Sequence, residues 1–264
     1  MTSSPEFYTI GQIEGLKAIK SPHDKELDDI KDRILPRLRS LNSKQATVLA
    51  SRLGGDSTPI NFNEEWVITK AMFPGVILHF AYNYTGDEFG DGKSDDLSIL
   101  FSGEEVRLVP GEDLASYAEL LAEYMDRLLD GMENESLVDS KLSQMLTKAL
   151  LDRVEALNLL GQEDMPRLET FVGGVIKSNG VTLLELTPFP GITILVHWNS
   201  QQEIHVDFQG ENACIMSHFD LERVTILSLN HILRYVLIVR GAQNSPEICK
   251  KMFTPFGRKL HGFN

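Results

Sequence analysis

"FPGVILHFAYNY" occupies Phe73–Tyr84 and "FPGITILVHWNS" occupies Phe189–Ser200, so one chain writes nearly the same strand-forming phrase twice, 116 residues apart. In both, Pro-Gly suits the central positions of a type II turn, where proline presets φ and glycine accepts a positive φ. Alternation follows each turn. Val76, Leu78, Phe80 and Tyr82 form one apolar row, and Ile192, Ile194, Val196 and Trp198 form its counterpart. A second strand continues each pattern with Leu97, Ile99 and Phe101, and with Ile204, Val206 and Phe208. The offset between matched residues falls from 116 to 107 across the gap, which puts nine extra residues in the first loop. For both strands of the second copy to face one core, the loop joining them must hold an odd number of residues, because a one-residue slip inverts the face.

Likeness extends on both sides of this phrase. Upstream, helical sequence ends in Leu53-Gly-Gly or Val172-Gly-Gly, which suits a helix terminus followed by a chain reversal. Downstream, Leu114, Tyr117, Leu121, Tyr124 and Leu128 recur at helical spacing, as do Leu221, Val224, Ser228, Ile232 and Tyr235. Asp113 or Asp220 is expected to cap the first turn of each closing helix. The expected fold is therefore α+β: an internal duplication of helix-helix-strand-strand-strand-helix units, with antiparallel sheets covered by helices and a pseudo-twofold between the copies. Residues 1–132 make the first repeat, 133–240 the second, and 241–264 a basic C-terminal tail.

Composition narrows the function classes. A chain of 264 residues, 42% hydrophobic, buries a substantial core. Its net charge of −13 and pI near 5.0 argue against nucleic acid as the main ligand, since phosphate binding needs a cationic face. No apolar run approaches a membrane span, and Met1 to Lys20 lacks the pattern of a secretory signal, so a cytoplasmic location is expected. With only Cys214 and Cys249, neither a disulfide framework nor a four-cysteine metal site is available.

At "FPGITILVHWNSQQE", "VDFQG" and "FDLERVTIL", and again at "GDEF" and "ILFSGEEVRLVPGEDLASYAELL", the chain resembles the prokaryotic family catalogued as domain of unknown function 3786, in two tandem copies. The likeness covers Phe73 to Leu129 and Phe189 to Val236. It rests mostly on apolar and turn residues that determine fold. The resemblance implies no assigned activity; some members look fused to or associated with iron-sulfur proteins. This chain lacks their cysteine cluster, and no functional residues carry over.

Among polar groups, His197, Glu203, His205 and Asp207 fall on the face opposite Trp198 and offer imidazole and carboxylate ligands for zinc or another divalent ion. The plainer reading is the solvated face of an antiparallel sheet. The loop Gly86–Asp96 gathers Asp87, Glu88, Asp91, Asp95 and Asp96, but Phe89 takes a ligand position of a calcium loop and Ser98 stands where a bidentate Glu is required. Cys214 with His218 is a weak nucleophile-base pairing against a small buried thiol, and His231 reads as a packed side chain. Charge is asymmetric: Asp87–Asp130 carries thirteen acidic and three basic residues, while Arg240–Asn264 carries five basic and one acidic. In that tail Phe253, Phe256, Arg258 and Lys259 interleave aromatics with cations, as docking segments do. The favoured function is a cytosolic binding or accessory protein recognising a protein partner or small-molecule ligand, through a cleft between repeats or an acidic surface, with no nucleic acid, membrane or cofactor. The alternative is a metal-assisted enzyme using His197 and His205.

Overall fold

Both Phe-Pro-Gly phrases close two-residue hairpins, one in each sheet. The computed structural model describes residues 6–16, 20–84, 86, 95–131, 143–178, 181–240, 248 and 252. The chain divides into two compact units, residues 1–132 and 133–264. The first contains α1 (Ile10–Ile13), α2 (Pro22–Leu38), α3 (Ser43–Arg52), β1 (Trp66–Phe73), β2 (Val76–Tyr84), β3 (Asp95–Ser102) and α4 (Gly111–Leu129). The second contains α5 (Gln144–Leu157), α6 (Met165–Val172), β4 (Val175–Ser178), β5 (Thr182–Phe189), β6 (Ile192–Trp198), β7 (Ile204–Gln209) and α7 (His218–Arg240). Both sheets are antiparallel meanders, ordered β1-β2-β3 and β4-β5-β6-β7, so the fold is α+β.

The two hairpins agree in detail. Phe73 lies opposite Val76 and Phe189 opposite Ile192, with Gly75 at φ 74° and Gly191 at φ 68° as the type II turn requires. A bulge precedes each turn, between Ala71 and Phe73 and between Leu186 and Phe189. It supplies local twist that a type II turn does not impose on a two-residue hairpin. At the far end of each meander the chain returns to its own turn. Gly103 and Gly210 adopt φ 109° and 108°, and a Cβ on either would sit 2.1 or 2.2 Å from the carbonyl oxygen of Gly75 or Gly191. Those same carbonyls accept the amides of Glu105 and Asn212, at 3.0 and 2.9 Å.

The paired glycines before the sheets also correspond. Gly54 and Gly173 both sit at φ 69°, ending α3 and α6, and the next residues carry the chain alongside the hairpin. Asp56 bridges Thr69 in the first unit, and Val175 pairs with Glu185 in the second. The bridge stays isolated in one unit and lengthens into β4 in the other. Register matches the sequence argument: Trp198, Val196 and Ile194 face Ile204, Val206 and Phe208 across the five-residue loop 199–203. Tyr82, Phe80 and Leu78 likewise face Leu97, Ile99 and Phe101.

In the first unit α3 packs along β1, α2 along β3, and α4 against α2. Trp66 stacks on Tyr82 at 5.0 Å and donates its indole N–H to Leu41 between α2 and α3, so the apolar row meets these helices. All five periodic residues of α4 are buried. In the second unit α5 and α6 both pack on α7. Two expectations need correction. Asp113 and Asp220 are not N-caps: Pro110 precedes α4, and Ser217 caps α7 by accepting the Asp220 amide on its hydroxyl oxygen. Nor is α7 amphipathic, since every residue from Asp220 to Val236 is buried.

Alanine at Gly103 or Gly210 must move backbone as well as adopt a glycine-only φ. We expect each substitution to destabilise its unit by roughly 2–4 kcal/mol, combining the φ penalty with the displaced turn. Gly15, at φ 73° with open space around its Cβ position, serves as control at about 1 kcal/mol. Urea unfolding of the three variants measures the difference; equal losses would mean that the close approach is unimportant.

Candidate functional site

Val48 on α3 and Leu129 at the end of α4 stand off the buried stripes of their helices. Ala46, Leu49, Ala50 and Leu53 form the buried side of α3. Val48 falls off that stripe and is 61% exposed. It lies in a surface groove of about 300 Å³ whose apolar lining is Leu41, Val48, Leu49, Leu128 and Leu129. Lys44, Gln45 and Arg52 rim it. Arg52 is steadied by a 3.1 Å bond from Nη1 to the Leu128 carbonyl, whereas Lys44 has no ion-pair partner among the described residues. Such a groove can hold an apolar group and orient an anion beside it. Sequence reasoning missed it. The available signal was Val48 standing between Lys44 and Arg52, out of phase with the buried stripe.

The sheet-face cluster forms in part. His197 and His205 are cross-strand partners with ring centroids 6.3 Å apart, and both approach Asp207, at 3.8 Å from His197 and 3.1 Å from His205. Glu203 does not join them. It closes the β6–β7 loop instead, its carboxylate accepting from Asn199 Nδ2 at 2.7 Å and its amide donating to Asn199 Oδ1. His205 is exposed and Asp207 nearly half exposed, which fits a solvated face. Among the described residues, no group of three or more His, Cys, Asp or Glu side chains is arranged to hold a metal ion.

Two histidines that do reach the interior are sealed. His79 bridges Thr69 Oγ1 at 2.9 Å and Ser102 Oγ at 2.8 Å, with Phe7 edge-on at 5.2 Å. This chain of side chains looks like a serine-histidine pair, but Ser102 and His79 are 3% and 4% exposed and the third member is a hydroxyl. Catalysis on a bound substrate needs access that this row lacks. Burial pushes the His79 imidazole down to about 4. His231 is likewise pushed down to about 4 by burial, against a partly offsetting hydrogen bond to the Phe171 carbonyl at 3.2 Å, and it stacks on the Phe171 ring at 4.3 Å. His231 is thus a packed side chain, as its position in the helix suggested. His79 escaped the sequence reading because its apolar neighbours on that face, Val67, Ala81 and Leu100, disguise a second buried surface.

Other candidates are committed elsewhere. Cys214 donates from sulfur to the Glu211 carbonyl. His218 Nε2 lies 3.2 Å from Glu222 Oε1, off the hydrogen-bonding axis, and its ring meets Phe208 edge-on. Some acidic residues of the first unit are matched by α2 and its end: Lys31 with Asp96, Arg33 with Glu123, Arg37 with Asp126 and Asp130, Arg39 with Asp95. Asp87, Glu88 and Asp91 of the calcium-like loop, Cys249, and Phe253, Phe256, Arg258 and Lys259 of the tail lie outside the described residues. Within the 241–264 segment, the Met252 carbonyl accepts from Asn230 at 3.0 Å and Arg153 at 3.4 Å. No helix among the described residues is long and apolar enough to cross a membrane. No protein-family model, curated protein or solved structure matches the chain significantly.

Lowered histidine values set a pH dependence. Unfolded imidazoles bind protons near 6.5 while the folded ones resist until about 4, so stability is full above roughly 6.5 and falls as pH drops through that window. From pH 7 to 5 each histidine is expected to remove roughly 2 kcal/mol. His79→Asn should flatten the pH slope of the first unit's unfolding. An unchanged slope, followed by tryptophan fluorescence of Trp66, would show that another group titrates.

Proposed function

We propose that the chain is a non-catalytic cytosolic binding or accessory protein whose recognition surface is the α3–α4 groove. The observation that carries this reading is the exposure of Val48 amid four leucines, under a rim of lysine, glutamine and arginine. Apolar side chains left open inside a concavity are the usual mark of a binding surface, whereas isolated exposed apolar residues need no explanation. Ionisable groups inside the units are tied into structural contacts, so the reading does not depend on chemistry at them. The acidic surface contributes less to it, because α2 already supplies cations to part of that surface.

Small apolar probes such as cyclohexanol should shift the methyl resonances of Val48, Leu49, Leu128 and Leu129 in a saturable way. Val48→Asp should abolish those shifts without altering the fold. Shifts spread over unrelated methyls would defeat the groove as a site.

A second reading, a metal-assisted enzyme, is supported by the approach of His197 and His205 to one Asp207. Zinc titration by calorimetry tests it. The reading requires stoichiometric binding that weakens as pH falls through about 6.5 and vanishes in a His197→Ala, His205→Ala double variant. Equal heats from the parent and the double variant would remove it.

A further inference from the structure

We infer that the α3–α4 groove takes an acidic amphipathic helix of a partner protein, with two carboxylates flanking its apolar stripe. The inference rests on the binding reading above and gives the groove its class of occupant. Its basis is spacing. Lys44 and Arg52 lie eight positions apart on α3, about 12 Å along the axis at the helical rise of ~1.5 Å per residue. Val48 and Leu49 fall between them, and Leu128 and Leu129 form the opposite wall. An amphipathic helix repeats the same metric. Residues at i and about i+7 stand two turns apart on one face, with i+3 and i+4 between them. Acidic side chains at the outer positions therefore meet the two cations while apolar ones enter the groove, in the helix-in-groove mode.

Charge decides between this occupant and a single-headed lipid. A fatty carboxylate satisfies one cation and leaves the other facing its tail, whereas two cations at opposite ends of an apolar floor select a ligand with two separated anions. Both rim cations are available to a ligand: within a protein of net charge −13, Lys44 has no ion-pair partner among the described residues. Lys31, Arg33, Arg37 and Arg39 of the same unit are by contrast engaged by acidic side chains. Arg52 is held by Leu128 at one nitrogen and keeps its remaining donors.

The probe is a fluorescein-labelled helical peptide carrying two glutamates about seven positions apart around a pair of leucines, titrated into the full chain and read by anisotropy. Saturable binding is expected, weakened at least about tenfold by Lys44→Glu and lost in Val48→Asp. Replacing the glutamate nearest Lys44 by lysine should weaken binding to the parent and restore it to the Lys44→Glu variant. That reciprocal rescue is something a folding defect does not produce. Failure of the rescue overturns the inference. Binding of dodecanoate but not the peptide also overturns it and leaves the groove a small-ligand site. Binding of cyclohexanol alone does the same. Loss of self-association in Val48→Asp, seen by sedimentation of the parent and variant, would instead make the groove an interface between copies. If none of these probes shifts the groove methyls, the binding reading itself fails.

Discussion

A backbone contact with no room for a side chain governs each unit. Where the third strand of the meander ends, Gly103 or Gly210 passes so close to the carbonyl of Gly75 or Gly191 that a single methyl would collide with it. The same carbonyl accepts an amide two residues further along, so the hairpin turn and the exit to the closing helix become one rigid corner. Everything distal depends on that corner. It fixes where α4 and α7 begin, and therefore which faces of those helices meet the interior. Pro-Gly sets the turn, the bulge supplies the twist, and the second glycine locks the return.

From this common frame the units diverge in how they fill their interiors. The first sheet is buried on much of both faces, with small or apolar residues at Val67, Ala81 and Leu100 and one sealed histidine row. The second leaves His197, His205 and Asp207 near solvent but buries a helix that carries Glu222, Arg223, Asn230, His231 and Arg234. Buried polar groups are tolerable only when they are satisfied. Glu222 accepts both the amide and the hydroxyl of Ser143, Asn230 accepts from Arg153, and His231 meets the Phe171 carbonyl. Desolvation still lowers Arg153 to about 10 and Arg234 to about 9, well below a free guanidinium. Polar specificity in the second unit is thus built into its central helix.

Much of the fold was legible because its determinants are local. Alternation about Pro-Gly dictated register, and Leu53-Gly-Gly and Val172-Gly-Gly marked real helix ends. The matched apolar positions of α4 are buried as read. What escaped was set by neighbours distant in sequence. Helical spacing in α7 points to one apolar face, yet α5 and α6 pack against the helix and its polar residues find partners 60 or more positions away. Glu203 was assigned to the histidine cluster from strand parity, but it lies one residue before β7, where the loop claims it. The groove is only half legible for a related reason: Val48 out of phase with its stripe marks one wall, but no periodicity announces that the end of α4 lies beside it.

One capping arrangement separates the units in time as well as space. α2 and α3 complete their N-termini with residues three positions away, Ser21 with Asp24 and Asn42 with Gln45. α5 draws part of its N-terminal arrangement from Glu222, seventy-nine residues downstream in the last helix of its unit. On a ribosome, then, the early helices of the first unit emerge with their ends already finished. The first helix of the second waits for its Glu222 anchor until the last helix of its own unit has been made.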